Sequence, residues 1–575
     1  MSEKKHRIVP ILYDEKGLPT GTSFLSPVDD TNRAICVVPP NEVMPVLFIP
    51  GIMGSNLKLN TPIKDFNNGK DICWRPDSAI YTAWTFANLD PGERRAILNP
   101  DNTAVDDRAE IPDSKLPVFK TTDKATRANW KKEFARRGWG TVMLGSYGEI
   151  LYALELNLNT IYSENFELDS YWQDSILSVK SKSDAEEKSH GWGDLTGFEA
   201  LTETDLKEKV GDKYWFPVHA AGYNWLRSNE EAGKEIAKRI KSIISHYQGL
   251  GYPCKKVIIV THSMGGLAAR AACHPEMGNA QEMVAGVIHG EQPAVGAAAA
   301  YKRMHAGFEA GLNPINAIVA RALGWSGKEV SSTLSNAPGG LELLPTKLYP
   351  TGWLKVQMGS EVAMELPLAD PYAEIYSEQV KWWRLMTSEW IDPSAYNLSP
   401  EALGSIWNNY LTRLEIADNF HNKLGAYYHP VTHAHYGADE EQKAWTTITW
   451  KSGDASSSKN TDFEHENSLD KFKNKLDSAS KIKNISNANI LAAATEHENA
   501  LGKIQISLGE VNLNFHISHP DKPGDGTVPE ISGAASASKA KFAAKMSGYD
   551  HQGSYQDQRV KDVTIYSVAR IAKSI

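Results

Sequence analysis

KKVIIVTHSMGGLAARAAC, residues Lys255 to Cys273, is the stretch around which the chain is organised. Val257, Ile258, Ile259 and Val260 form a β-branched run suited to a strand buried on both faces of a parallel sheet. Helix formers follow at once from Leu267 to Ala272. Between them, Thr261-His262-Ser263-Met264-Gly265-Gly266 offers small residues on which the backbone can reverse sharply and expose the Ser263 hydroxyl. This is the pattern of a nucleophile elbow, with Thr261 in place of the usual first glycine of G-x-S-x-G. The helix that follows aims its N-terminal N–H groups at the turn, so the amide of Met264 is expected to stabilise an oxyanion.

Working outward, Val46 to Ile49 reads as a buried strand ended by Pro50-Gly51-Ile52-Met53-Gly54-Ser55, a glycine turn at the end of a strand where ligands sit in open α/β sheets. Tyr214 to His219 is a further strand. Ser228 then offers an N-cap, and Ala232, Ile236, Ile240, Ile243, Ile244 and Tyr247 mark one face of a helix that delivers the chain to the central strand. Val284 to His289 and Lys347 to Met358 read as later strands, and Val511, Leu513, Phe515 and Ile517 alternate as a half-buried one. A closing helix is expected over Gln556 to Ser574. Strand, helix, strand, elbow, helix predicts an α/β fold with a doubly wound, mostly parallel sheet.

On this reading residues 1–42 are an N-terminal arm, and 43–60, 214–360 and 508–575 make up the core. Residues 61–213 form a first insertion, with a helical piece from Tyr147 to Leu158, and 361–507 a second insertion expected as a cap or lid. The apolar stripe from Ile315 to Trp325 and the aromatic run from Tyr372 to Trp390 are the segments expected to cover an apolar pocket above Ser263.

The 575 residues are 41% hydrophobic and 23% charged, as in a globular protein that buries a large core. A formal net charge of -9 argues against nucleic acid as a partner. Cys36, Cys73, Cys254 and Cys273 are widely spaced, without a C-x-x-C pair, and free thiols are expected. The start, MSEKKHRIVPILYDEKG, lacks the continuous apolar run of a secretory signal, so synthesis in the cytoplasm is expected. The run from Val284 to Ala300 is interrupted by His289, Glu291 and Gln292 and is too polar to cross a bilayer.

A serine hydroxyl needs a base within hydrogen-bond reach, itself oriented by a carboxylate. After Ser263 the chain supplies both in the order nucleophile, acid, histidine: Asp525 between two glycines in Gly524-Asp525-Gly526-Thr527, then His551 before the last helix. Asp521 is the alternative acid and His516 or His519 the alternative base. His262 adjoins the nucleophile but reads as structural. His429, His433 and His435 read as satisfied or surface histidines, and no metal or other cofactor is expected. No P-loop, G-x-G-x-x-G or H-E-x-x-H motif occurs.

Taken together, FIPGIMGSNL, AGYNWL, THSMGG, the acid loop and the terminal histidine resemble the lecithin:cholesterol acyltransferase-like lipase branch of the α/β-hydrolases. That branch has Asp and Arg where this chain has Asn224 and Leu226. The resemblance implies Ser263 as nucleophile, Asp525 as acid, His551 as base, and the amides of Ile52 and Met264 as oxyanion donors. It implies a carboxylic ester hydrolase acting on phospholipid acyl esters at a membrane surface. The alternatives are an acyltransferase using the same three residues and an inactive hydrolase fold kept for binding. The large insertions and HQGSYQDQRVKDVTIYSVARIAK also resemble lipase effectors delivered by type VI secretion. That implies export to target-cell membranes, a secretion-apparatus partner and an immunity or inhibitor protein.

Overall fold

In the computed structural model, described residues run from 40 to 575, except 65–68, 78–84, 87–88, 114–123, 164–166, 180–190, 310–323, 394–398, 454–486 and 509–510. Of the first 39 residues only His6–Val9, Leu12–Tyr13, Pro19–Thr20 and Arg33–Cys36 are described, as strands. The stripe from Ile315 to Leu323 therefore lies outside the described residues, and Trp325 beside it is 38% exposed.

Seven strands make the central sheet: β1 Val46–Ile49, β2 Asp194–Thr196, β3 Val218–Ala220, β4 Val257–His262, β5 Val284–Gly290, β6 Thr432–Gly437 and β7 Phe542–Met546. Their order is β2-β7-β6-β5-β4-β1-β3, and all pairs are parallel except β2 with β7. β4 is buried along its whole length, as the β-branched run requires, and pairs with β5 so that Thr261 faces His289 and His262 faces Gly290.

Four helices position the site, with a fifth beside it: α1 Leu144–Asn159, α2 Asn229–Gly249, α3 Gly265–Cys273, α4 Ala298–Ala306 and α5 Gln558–Lys573. The Ser228 hydroxyl accepts from the Glu230 N–H and caps α2, whose expected apolar face is buried. α2 packs on α3, and α1 packs on α5. α1 begins beside the elbow and is tied to the sheet edge by charge. Buried Arg137 donates to Glu133 at 2.6 Å and to both oxygens of Glu155 on α1 at 2.9 and 3.0 Å, and Glu155 accepts the Val218 N–H at 2.8 Å.

A second, six-stranded sheet departs from the expectation. Its order is Glu361–Leu366, Leu354–Met358, Ile448–Ser452, Val511–Ile517, Lys503–Leu508, Ala494–Glu498. Leu354–Met358 and Val511–Ile517, expected in the core sheet, both lie here. Conversely, Thr432–Gly437 falls inside the 361–507 insertion yet is a central strand, between β5 and β7. Its sequence THAHYG carries no apolar run. Its burial rests on hydrogen bonding, which hydropathy does not register. The aromatic run from Tyr372 to Trp390 packs inward: Trp382 is buried, stacks on Phe515 at 4.8 Å and meets Trp450 edge-on at 5.8 Å. Tyr372, Tyr376, Trp383 and Trp390 are buried as well, so this segment is core to the second sheet instead of a surface flap over Ser263.

Candidate active site

At the end of β4 the chain turns through Ser263, whose φ of +53° lies in the left-handed region a side chain rarely adopts. The turn is held from both sides: the Ser263 N–H donates to Gly290 O on β5 at 2.8 Å, and the Gly266 N–H closes onto Ser263 O at 2.9 Å. Two glycines are required by close approach. A Cβ on Gly51 would stand 2.9 Å from Ser263 Cβ, and one on Gly265 would stand 2.4 Å from Pro50 O. The turn after β1 is thereby pressed against the elbow. Thr261 is extended within β4, and its Oγ1 lies 3.3 Å from His289 Nδ1, so the strand accommodates it where the usual motif has glycine.

His551 Nε2 lies 2.9 Å from Ser263 Oγ, and His551 Nδ1 lies 2.6 Å from Asp525 Oδ2. The other carboxylate oxygen of Asp525 accepts the N–H groups of Thr527 at 3.0 Å and Val528 at 2.7 Å, and the Asp525 carbonyl accepts the His551 N–H at 2.8 Å. Because Asp525 as a carboxylate can only accept, it fixes the His551 tautomer with the proton on Nδ1 and leaves Nε2 free to accept from serine. Burial opposes charge on the His551 ring, but the Asp525 carboxylate outweighs it and holds the pKa above 6.5. Burial likewise tends to raise the Asp525 pKa, and His551 with the two amides brings it below its ordinary value.

Ile52 and Met53 are the central residues of a turn closed by the Gly54 N–H on Gly51 O at 3.1 Å, with Met53 at φ +63°. Met264 caps α3. Among the described residues neither the Ile52 nor the Met264 amide donates to a protein acceptor, as an oxyanion site requires. Asp521 is engaged elsewhere, accepting the Thr446 N–H at 2.7 Å. His516 lies in the second sheet opposite Lys451 and Lys503, and His519 is exposed. His429 bonds its own loop at Val431, His433 packs on Phe542, and His435 lies 3.2 Å from Glu291 and 3.3 Å from the Tyr555 hydroxyl. Among the described residues no group of three or more His, Cys, Asp or Glu side chains is arranged to hold a metal ion.

Sequence reasoning missed Tyr147, Glu291 and Arg303. Tyr147, on α1, bridges Gly51 and His262 and was legible only as part of a helix. Glu291 follows β5 at φ +52° and accepts from Tyr549 Oη at 2.8 Å and the Gly437 N–H at 2.7 Å. Burial, and then the nearby Asp525, push its pKa well above the ordinary carboxylate value. Arg303 on α4 enters the cavity beside the triad of side chains.

That cavity has a volume of about 670 Å³. Ser263, His551 and Asp525 line it together with Ile52, Met53, Trp74, Met143, Phe308, Leu343 and Trp445. A mostly apolar chamber with a few convergent polar groups suits an organic ligand with a long hydrocarbon portion.

Residues 230–322, spanning α2 to the segment after α4, match the model of the PGAP1-like alpha/beta domain. Over 92% of its length the chain superposes on a chain of a solved structure, "The crystal structure of Tle4-Tli4 complex", with a TM-score of 0.68, 28% identity and 98% of that chain covered. The chain has the α/β-hydrolase fold. Its resemblance to the lipase branch of that fold and to type VI secretion lipase effectors, read from the motifs, stands with these two likenesses. No curated protein sequence matches this chain. Among its described residues no helix is long and apolar enough to cross a membrane.

Proposed function

We propose that the chain is a serine ester hydrolase that removes an acyl chain from phospholipids, as a phospholipase A does, by way of an acyl-enzyme. The observation that carries this reading is the hydrogen-bonded series Ser263, His551, Asp525 opening on an apolar cavity. Ser263 Oγ attacks the ester carbonyl carbon while its proton passes to His551 Nε2. The imidazolium formed is stabilised by Asp525 through Nδ1, and the oxyanion by the amides of Ile52 and Met264. Collapse expels the alcohol, which takes the proton from Nε2. Water, deprotonated by the same nitrogen, then cleaves the acyl-serine and restores the hydroxyl.

The likeness to Tle4, solved together with Tli4, supports a dedicated protein partner for this chain, which we read as an inhibitor of the immunity kind. It also supports export by a specialised secretion system to act on target-cell membranes. Mass spectrometry of products from a mixed phospholipid vesicle tests the chemistry. Equal amounts of fatty acid and lysophospholipid are expected; release of a phosphorylated head group, or transfer of the acyl chain to an added alcohol in preference to water, would refute it.

A further inference from the structure

The proposed chemistry uses one carboxylate, yet a second lies against the same loops. Glu291 leaves the end of β5 at φ +52°, and its carboxyl group is completely buried. Among the described residues no lysine or arginine pairs with it. The titratable groups that face it are His435 on β6, Tyr549 and His551 on the loop before α5, Tyr555 at the end of that loop, and Asp525.

Its hydrogen bonds reach both halves of the Asp525–His551 pair. Oε1 accepts from the hydroxyl of Tyr549, two residues before His551, at 2.8 Å. Oε2 accepts the Gly437 N–H at 2.7 Å, and the Gly437 backbone is the seat of Asp525, since a Cβ there would stand 2.7 Å from Asp525 Cβ. The Glu291 N–H donates to His435 O at 3.1 Å, so its own backbone is tied to β6.

The hydrogens around His435 locate the proton of Glu291. Tyr555 directs its hydroxyl hydrogen to Thr261 O at 2.9 Å and Thr564 to Val560 O at 2.7 Å, so both oxygens can only accept from His435 Nε2, at 3.3 and 3.5 Å. Nε2 therefore carries a hydrogen. Burial brings the His435 pKa down to about 3, so the ring is neutral and Nδ1 is an acceptor. Glu291 Oε1, 3.2 Å from Nδ1, must then be the donor. A carboxylate there would also stand near Asp525 with no lysine or arginine to offset it, the arrangement in which one of two acids keeps its proton.

We infer that Glu291 is a positioning residue that works as a neutral carboxylic acid. It donates to His435 while holding the His551 loop through Tyr549 and the seat of Asp525 through Gly437, and it leaves Asp525 as the negative charge that acts on His551. This rests on the reading of Ser263 as the nucleophile of an acyl-ester hydrolase.

The test reads kcat, KM and the pH dependence of kcat/KM on a soluble short-chain ester for the wild type, E291Q, E291D and Y549F. The amide of E291Q donates as the acid does and carries no charge, so kcat stays within about threefold of the wild type and the midpoint of the pH–rate profile does not move. E291D keeps an acid but is a methylene too short to reach both loops, and Y549F cuts the tie to the His551 loop. Each lowers kcat by about tenfold, the scale of one lost buried hydrogen bond, with KM unchanged. Gln performing better than Asp is the signature, since a residue kept for its charge gives the reverse order. A midpoint that falls in E291Q shows that a negative charge beside His551 was removed and overturns the neutral acid. Full kcat in E291D and Y549F overturns the positioning role, even if their melting temperatures fall. Should E291Q not fold, infrared spectra of the wild type and E291D decide the protonation state: a carbonyl band of a protonated carboxylic acid at neutral pH that E291D alters supports it, and no such band overturns it. A wild type that cleaves no ester removes the hydrolase reading and this inference with it, whereas cleavage indifferent to all three variants removes only the role of Glu291.

Discussion

The Tyr147 hydroxyl lies 2.9 Å from His262 Nδ1 and ties together three loops that meet at the elbow. His262 Nε2 lies 2.9 Å from the backbone carbonyl of His551, which can only accept, so the proton of this ring is on Nε2 and Nδ1 accepts from the tyrosine. The phenol oxygen in turn accepts the Gly51 N–H at 3.2 Å. Burial, and then the neighbouring His551, bring the His262 pKa down to about 3, so the ring stays neutral and the bridge intact over the working range of pH. One tyrosine from α1 thus sets the turn that carries Ile52 and, through His262, the loop that carries His551.

Tyr147→Phe removes the bridge while keeping the ring that packs on Phe48 at 5.0 Å. It leaves a buried imidazole nitrogen and the Gly51 N–H without their partner. The expected result is a fall in kcat of about 10-fold, with KM and the melting temperature little changed. A rise in KM with kcat preserved would show that Tyr147 serves substrate binding instead.

The pH dependence follows from His551. Only its neutral form can take the Ser263 proton, so kcat/KM rises with pH through the His551 pKa, which Asp525 holds above 6.5. Asp525→Asn removes the charge that raises that pKa and leaves burial, which lowers it. The midpoint of the pH–rate profile is therefore expected to move down, with the plateau lower by about 10⁴. A midpoint unmoved by D525N would assign the titration to another group.

Arg137 is fully buried between Glu133 and Glu155, so its role is structural and measurable by denaturation. Arg137→Met takes the guanidinium from buried Glu155, while Glu133 keeps its pair with Arg136, and is expected to cost about 3–5 kcal/mol of unfolding free energy. Adding Glu155→Gln, which neutralises one carboxylate yet still accepts the Val218 N–H, should recover about 1 kcal/mol or more in chemical denaturation.

Residues whose own chemistry demands burial are the ones a sequence reveals. Val257 to Val260 can only be an interior strand, and the spacing from Ala232 to Tyr247 can only be one face of a helix. Ser263, Asp525 and His551 stand out because a serine turn, a carboxylate between glycines and a histidine before the last helix occur in that order, and they lie together. Thr432–Gly437 stays hidden because His435 is satisfied by Glu291 and Tyr555, partners far off in the chain. The second sheet is hidden for a similar reason, since Leu354–Met358 pairs with Ile448–Ser452 across a long excursion. Nothing local distinguishes Tyr147, 115 positions from His262, from any other tyrosine on a helix.

The most direct measurement is covalent labelling of the purified protein with a fluorophosphonate, followed by peptide mass spectrometry. A single adduct on Ser263 is expected, absent from Ser263→Ala and strongly slowed in His551→Ala, with ester turnover lost in parallel by several orders of magnitude. An adduct on another residue, or full labelling and turnover retained in S263A, would contradict the assignment of Ser263 as the nucleophile.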